Sequence, residues 1–169
     1  MLVPLLIQWF RNPKQFLATA NAACWSDLLQ QARSLGLTAQ LKALFERHNM
    51  LNELPETVQK HCAWGWRYYQ KQRASLFYEL MQLEPALAQT NYPCVLLKGA
   101  AYQALGLAVS EGRLYSDIDL LVNRSQLSDC KAKLFFAGFF EPAMSAYDKH
   151  FYLELSHENP PLYHVKRGT

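Results

Sequence analysis

Residues 115–123 read YSDIDLLVN, and this stretch decides the fold of the second half of the chain. Asp117 and Asp119 lie two positions apart at the head of an apolar run. Because side chains alternate between the two faces of a strand, this spacing places both carboxylates on one face while Ile118 and Leu120 point into the core. We therefore predict a strand over residues 117–122 that carries two acids on one edge.

The two carboxylates repel each other at neutral pH, and a cation between them removes that repulsion. Their hard oxygen atoms suit Mg²⁺ or Mn²⁺, which keep several waters and accept substrate phosphates as further ligands. A Ser-Asp pair before a strand is also typical of a turn in which the Asp caps backbone amides. Taken alone, Asp117 and Asp119 indicate either a metal site or such a turn.

A second segment, VLLKGAAY at residues 95–102, lies about one helix length upstream. It predicts a buried strand over residues 94–97, a turn at Lys98 and Gly99, and a helix over residues 99–107. A glycine at a strand-to-helix turn lets the backbone approach a ligand closely, and the amides that open a helix attract phosphate. The two segments together predict one site for a phosphate-bearing ligand.

The segments LKGAAYQAL and RLYSDIDLLV resemble the DNA polymerase β-type nucleotidyltransferase superfamily, specifically its branch of uncharacterised bacterial nucleotidyltransferases. In that branch a Lys-Gly turn is followed by an Arg four residues before the first Asp of an Asp-Ile-Asp-Leu-Leu-Val strand. The matching positions here are Lys98, Gly99, Arg113, Asp117 and Asp119. The upstream helices also resemble the branch, so the resemblance covers most of the chain.

The resemblance implies a role for each matching residue. Asp117 and Asp119 would be catalytic and would hold the metal ion that bridges a triphosphate, while the Gly99 turn and the amides of Ala100 and Ala101 would cradle phosphate.

The two basic residues, Lys98 and Arg113, would neutralise charge as pyrophosphate leaves. From the residues alone, Lys98 is equally a surface charge at a helix start. Arg113 is equally an ion-pair partner of Glu111 or of an Asp in the strand.

Two features differ from the superfamily pattern. Ala100 follows Gly99 where Ser or Gly is usual, so a hydroxyl that would contact phosphate is missing. The superfamily also needs a third carboxylate on a later strand, and in the resembling branch that strand lies just beyond residue 169. We therefore expect the sequence to be a fragment of a longer protein, with Glu154 as the alternative third acid.

The fold class predicted for the chain is α+β. Residues 1–90 read as an N-terminal helical region, and residues 91–169 read as a nucleotidyltransferase-like mixed sheet flanked by helices, incomplete at its C-terminus. The boundary falls at Asn91-Tyr92-Pro93, where the helical pattern ends and strands begin to alternate with helices.

Several helix boundaries follow from local signals. Asn12, Ser26 and Thr38 predict the starts of three helices. Apolar residues at near-helical spacing predict a long helix from residue 56 to about 83, with Pro85 as its kink or its end.

Beyond the acidic strand the sequence predicts a helix and a hairpin. The helix runs from Ser125, its N-cap, to Phe136, and Gly138 ends it. The hairpin pairs a strand over residues 150–156 with a return strand over residues 162–166.

The composition is that of a globular protein, with 50% apolar and 13% aromatic residues in a chain of 169. The net charge of +3 is small and its basic residues are dispersed, so a nucleic-acid partner is not supported. Four widely spaced cysteines fit a reducing cytoplasm and no zinc motif. The apolar opening is too short to span a membrane, and we expect it to pack onto the domain.

Three functions remain open. The first is a metal-dependent nucleotidyltransferase, using Mg²⁺ or Mn²⁺, that moves a nucleoside monophosphate from an NTP to an unknown small-molecule, sugar or protein acceptor. The second is a non-catalytic nucleotide-binding or protein-interaction module, favoured by Ala100 and by the missing third acid. The third, a sugar-nucleotide glycosyltransferase, needs a larger sheet before its Asp-x-Asp motif than the single strand predicted here.

Overall fold

The computed structural model describes residues 4–145, 147, 150–152 and 159–167. Its helices are α1 (Leu5–Arg11), α2 (Pro13–Thr19), α3 (Ala22–Ser34), α4 (Thr38–Arg47), α5 (Glu56–Ala88), α6 (Lys98–Ala104) and α7 (Leu127–Phe136). Its strands are β1 (Val95–Leu96), β2 (Leu120–Leu121), β3 (Phe139–Phe140) and β4 (Tyr163–His164). Short 3-10 turns lie at Leu51–Glu53, Ala108–Ser110 and Arg124–Gln126. This mixture of helices and small sheets is consistent with the α+β class.

The chain divides into two compact units. The first contains Met1–Tyr78 and Leu96–Asp119, and the second contains Glu79–Val95 and Leu120–Thr169. The domain boundary placed at residue 91 from the sequence stays a prediction. Among the described helices, none has a stretch long and apolar enough to cross a membrane.

Aromatic side chains form the core of the first unit. Trp9 of α1 packs against Phe45 of α4 with ring centroids 4.2 Å apart, and Phe16 meets Trp25 edge-on at 5.3 Å. Such pairs contribute roughly 0.5–1.5 kcal/mol beyond the area that they bury. Leu6 and Trp9 are buried, so the apolar opening packs onto the unit as predicted.

The long helix predicted from residue 56 is confirmed as α5, which runs for 33 residues to Ala88. Val58, Cys62 and Leu76 on its apolar face are almost completely buried. Pro85 lies inside the helix and does not end it. A proline removes one backbone donor, and the helix continues for three residues beyond that gap.

Of the three predicted helix starts, one is confirmed, one is misplaced by four residues and one by a single residue. α2 begins as predicted, because Asn12 caps it by accepting a hydrogen bond from the Gln15 amide. α3 begins at Ala22 rather than at Ser26, since the Asn21 side chain already accepts the Cys24 amide.

Thr38 is the first residue of α4 and not its cap. The capping position is Leu37, whose side chain makes no capping hydrogen bond.

The strands are shorter than predicted. β1 covers two of the four residues in 94–97, and β2 covers two of the six in 117–122. β1 pairs with β2, and β3 pairs with β4, so the described residues form two sheets of two strands each. The larger nucleotidyltransferase-like sheet stays a prediction.

The C-terminal predictions need three corrections. Asn123, not Ser125, caps the turn before α7, because its side chain accepts the Ser125 amide. Residues 150–152 are helical rather than extended, and residues 153–158, with Glu154, lie outside the described residues. β4 pairs antiparallel with β3, where Phe139 faces His164, and the sequence did not predict this partner.

A buried ion pair secures β4 within the second unit. The Arg167 guanidinium donates to both Glu79 carboxylate oxygens, with its Nε 2.9 Å from Oε1 and its Nη2 2.9 Å from Oε2. Glu79 is buried, so removing either partner would leave an uncompensated charge. Gly138, at φ +95°, follows α7 as predicted.

Candidate functional site

The structure brings the Lys-Gly turn and the second aspartate together within the first unit. The Leu97 amide donates to the Asp119 carbonyl at 2.9 Å. The Lys98 ammonium lies 3.2 Å from Asp119 Oδ1. Because the backbone bond fixes the register of the two segments, the ammonium and the carboxylate meet at the start of α6. Two residues that the sequence separates by 21 positions therefore share one site.

Lys98 has a backbone conformation that is unusual for a residue with a side chain. Its φ is +50°, in the left-handed region. This conformation costs an L-residue roughly 1–2 kcal/mol. The ion pair with Asp119 is partly exposed, and pairs of this kind contribute roughly 0–1 kcal/mol. Lys98 is therefore a candidate functional residue, because backbone strain of this kind concentrates at functional sites.

Gly99 lies directly beside the segment that leads to the aspartates. A methyl group added at Gly99 would be 3.4 Å from Tyr115 Cβ and 3.9 Å from Arg113 Nε. These are ordinary van der Waals distances, so the protein itself leaves room for a side chain at this position. A requirement for glycine at residue 99 would have to come from a ligand that approaches the backbone.

Arg113 is placed beside the turn and is not paired with an acid in the described part of the chain. Its guanidinium lies over the Tyr102 ring, 5.5 Å from the centroid. The alternative ion pair with Glu111 is wrong, because Glu111 is 3.1 Å from Arg47 instead. Arg113 is thus a half-buried cation next to Gly99, within the same unit as Lys98 and Asp119.

The two alanines of the turn differ in what they offer a ligand. The Ala101 amide donates to the Leu97 carbonyl at 3.2 Å and is used by the helix, which corrects its expected role in cradling phosphate. The amides of Gly99 and Ala100 belong to the first turn, whose donors have no partner within a helix. The Ala100 side chain is buried, with 1% exposed.

Asp117 is the exposed member of the acidic pair. It accepts a hydrogen bond from Ser116 Oγ at 3.2 Å, and among the described residues no backbone amide donates to it. The alternative in which Asp117 caps the amides of a turn is therefore wrong. Ile118 and Leu120 are half-buried rather than core residues, and residues 117–119 lie outside any strand.

Tyr115 is a positioning residue that the sequence reasoning left without a role. Its hydroxyl accepts a hydrogen bond from the Leu76 amide of α5 at 3.0 Å. Burial raises the pKa of Tyr115, and the bond from Leu76 opposes that shift only in part. The phenol stays neutral and attaches the segment before the aspartates to α5. Its signal in the sequence was its position two residues before Asp117.

Gly112 is a second residue whose role depends on tertiary structure. It has φ +72°, and a methyl group there would lie 2.6 Å from the Gln40 nitrogen and 2.7 Å from the Ala39 carbonyl carbon. Only glycine allows the chain to pass this close to the backbone of α4. The contact fixes the start of the segment that carries Arg113 and the aspartates.

Two carboxylates are the donors that the site offers to a metal ion. Mg²⁺ is commonly bound by one or two carboxylates together with waters and substrate phosphates. Asp117 and Asp119 provide two such carboxylates, one exposed and one half-buried, beside the cationic Lys98. Among the described residues, no group of three or more His, Cys, Asp or Glu side chains is arranged to hold a metal ion. The pair fits a Mg²⁺ ion that arrives with its phosphate ligands.

The site therefore combines a basic turn, two carboxylates and a nearby arginine, which are groups that can bind phosphate and a metal ion. The family model described as "uncharacterised nucleotidyltransferase" matches residues 21–169. The chain therefore belongs to this nucleotidyltransferase family. Comparison with curated proteins and with solved structures finds no match to the chain.

Proposed function

We propose that the protein is a metal-dependent nucleotidyltransferase that transfers a nucleoside monophosphate from an NTP to an acceptor. In the proposed reaction an acceptor hydroxyl attacks the α-phosphorus, the bond from that phosphorus to the bridging oxygen breaks, and pyrophosphate leaves. The acceptor gains the nucleoside monophosphate and loses its proton to solvent or to a base. The acceptor is a small molecule, a sugar or a protein side chain.

The observation that carries this proposal is the conformation of Lys98. A strained lysine lies against Asp119, at the turn where the sequence motif predicts a polyphosphate. A strained residue persists when the surrounding structure holds it and when its position serves a function. The proposed function of this strain is to hold the ammonium at the entrance of the site.

Each residue then has a role that its position supports. Asp117 and Asp119 would hold Mg²⁺ or Mn²⁺, which supplies charge stabilisation to the triphosphate and the leaving pyrophosphate. The Lys98 ammonium, partly exposed on a flexible stem, moves from Asp119 to a phosphate oxygen. Arg113, held over Tyr102, binds the phosphates with a planar donor set. Glycine at residue 99 lets the phosphates approach the backbone.

A second candidate is a nucleotide-binding module without catalysis. It is favoured by one observation: the described residues hold two carboxylates at the site and no third acid with them. This module would bind NTP and metal through the same residues and would not turn the NTP over. The sugar-nucleotide glycosyltransferase receives no support from the family to which the chain belongs.

The test of the site measures thermal unfolding with each NTP, with and without Mg²⁺ or Mn²⁺. A ligand at about 100 times its Kd stabilises the folded state by roughly 2.7 kcal/mol. We expect a metal-dependent stabilisation by at least one NTP and its loss in the double variant Asp117→Asn/Asp119→Asn. Asp27→Asn, an exposed acid on α3, is the matched control and keeps the stabilisation.

Gly99→Ala separates a ligand effect from a folding effect. Alanine is favoured over glycine in a helix by about 1 kcal/mol, and the structure has room for the methyl group. We expect the variant to be at least as stable as the parent protein and to bind the NTP more weakly. Unchanged NTP binding in a folded Gly99→Ala protein would contradict the role given to this turn.

Catalysis is then tested with NTP labelled at the α-phosphate and panels of hydroxyl-bearing acceptors. Transfer of the label with release of pyrophosphate supports the transferase. Metal-dependent binding without transfer in any panel favours the binding module. Absence of NTP binding in the folded protein contradicts both.

A further inference from the structure

A groove lies along α5 in the first unit and is separate from the acidic site. It consists of two adjoining cavities of about 230 and 370 Å³, and both are lined by Tyr69, Arg73 and Glu111. We refer to the two cavities together as the Tyr69 groove. Gln103, near the C-terminal end of α6, lines the smaller cavity. Lys98 opens the same helix, so the groove and the acidic site lie about 8 Å apart along its axis.

Buried polar groups form the floor of the Tyr69 groove. Gln103, Tyr69 and Ser110 are 3%, 6% and 4% exposed. Gln103 Nε2 donates to the Ser110 carbonyl at 2.7 Å. In contrast, the contacts between the Tyr69 hydroxyl and the Gln103 amide measure 3.4 and 3.5 Å, at the outer limit of a hydrogen bond.

Because these contacts are long, the Tyr69 hydroxyl can form a further hydrogen bond. A phenol carries one donor and acceptor lone pairs, and a buried polar group that is weakly paired costs free energy. A ligand hydroxyl in the smaller cavity would give Tyr69 or Gln103 a bond of ordinary length. The floor is therefore suited to a ligand that carries hydroxyl groups.

A cation lies on the wall of both cavities. Arg73 stacks on Phe77, with its guanidinium 5.1 Å from the ring centroid, and it makes no ion pair with any acid in the described part of the chain. Glu111, the acid on the same wall, is paired with Arg47. The groove therefore has a net positive charge, which Arg73 provides. A guanidinium binds carboxylate or phosphate through two parallel hydrogen bonds.

We propose that the Tyr69 groove binds a small hydroxylated anion, such as a sugar phosphate or a hydroxy acid. The anionic group pairs with Arg73, and a hydroxyl group reaches the floor at Tyr69 and Gln103. The larger cavity, at about 370 Å³, is within the range of volumes that small-molecule sites have in proteins. The site needs neither the metal ion nor the aspartates, so it goes beyond the proposed nucleotidyl transfer and does not depend on it.

The experiment uses ¹⁹F NMR of the protein labelled with 5-fluorotryptophan. Trp66 lines the larger cavity, whereas Trp64 is exposed on the same helix and serves as an internal reference. Trp66→Phe assigns the resonance. The probes are glucose 6-phosphate, gluconate, uncharged glucose and inorganic phosphate, each titrated without divalent metal.

The proposal expects a saturable shift of the Trp66 resonance with glucose 6-phosphate or gluconate, and binding at least tenfold weaker for glucose and for inorganic phosphate. Arg73→Gln should raise the Kd about tenfold or more, and Tyr69→Phe several-fold. Lys71→Gln, an exposed change outside the groove, should leave the Kd unchanged.

Three results would overturn the proposal: no saturable shift with either hydroxylated anion in the folded protein, equal binding of glucose, or an unchanged Kd in Arg73→Gln. The Asp117→Asn/Asp119→Asn variant must still bind the probe, and loss of binding there would show that the two sites are one. Because Arg73 is exposed, its variant folds and keeps the test decisive even if Tyr69→Phe does not.

Discussion

Two glycines in left-handed conformations give a test of how the segment before the aspartates is held. Gly112 has φ +72° and lies against the backbone of α4, whereas Gly106 has φ +63° and has nothing within 4 Å of an added methyl group. Gly106→Ala therefore changes only the backbone strain. Gly112→Ala changes the strain and also places a methyl group 2.6 Å from the Gln40 nitrogen.

The magnitudes follow from these two contributions. An L-residue in the left-handed region costs roughly 1–2 kcal/mol, and the stiffer unfolded chain returns about 0.4–1 kcal/mol. Gly106→Ala should thus lower the free energy of unfolding by about 0.5–1.5 kcal/mol. The close contact at Gly112 adds an overpacking cost of roughly 1–3 kcal/mol, because backbone atoms cannot turn aside as a side chain can.

Urea unfolding followed by circular dichroism measures both variants on one scale. We expect Gly112→Ala to lose about 2–4 kcal/mol, with the dependence on urea concentration unchanged. We also expect it to weaken NTP binding more than Gly106→Ala does, because the contact with α4 positions Arg113. Equal losses of stability in the two variants would refute the reasoning, since the contact with α4 would then contribute nothing.

Further predictions concern three other residues. Burial raises the pKa of Cys62 from 9.0 to about 12, so above pH 9 the unfolded chain releases this proton while the folded protein keeps it. The free energy of unfolding should fall by about 1 kcal/mol from pH 9 to pH 10 through this group, and Cys62→Ala should remove that part of the slope in urea titrations. Tyr115→Phe should lower the free energy of unfolding by roughly 1 kcal/mol by removing the acceptor of the Leu76 amide, while Tyr78→Phe at an exposed position should not. Lys98→Gly should be more stable than Lys98→Ala by about 1 kcal/mol because it relieves the positive φ, and both should bind NTP more weakly; equal stabilities would rule out strain at Lys98.

The parts of the fold that the sequence predicts well are those decided by local signals. The apolar period of α5 and the Asn12 cap of α2 depend on residues within a few turns, and both are confirmed. The start of α3 was misplaced because Asn21 and Ser26 are both good caps, and only the folded chain shows which one is used. β3 was missed because a two-residue strand is too short to have a period.

In the candidate site, too, the sequence predicts the features that depend on local signals and misses those that depend on tertiary contacts. The motifs predicted that the Lys98 turn and the Asp119 segment belong to one site, and the structure brings their charges to 3.2 Å. The predicted strand was expected to carry Asp117 and Asp119, but β2 begins only at Leu120. β1 has two residues, so it can pair with only a short strand. The contact of Gly112 with α4 joins residues more than 70 positions apart, and such a contact has no local signal.

The alanine that departs from the superfamily pattern has a physical explanation in its burial. Ala100 is 1% exposed, so its methyl group occupies a space that water does not reach. A serine at this position would bury a hydroxyl, at a cost of roughly 1–3 kcal/mol unless the hydroxyl found a partner. The absence of that hydroxyl therefore does not argue against phosphate binding at the turn. In the proposed function, two cations would contact the phosphates instead: Lys98 on the turn and Arg113 beside Gly99.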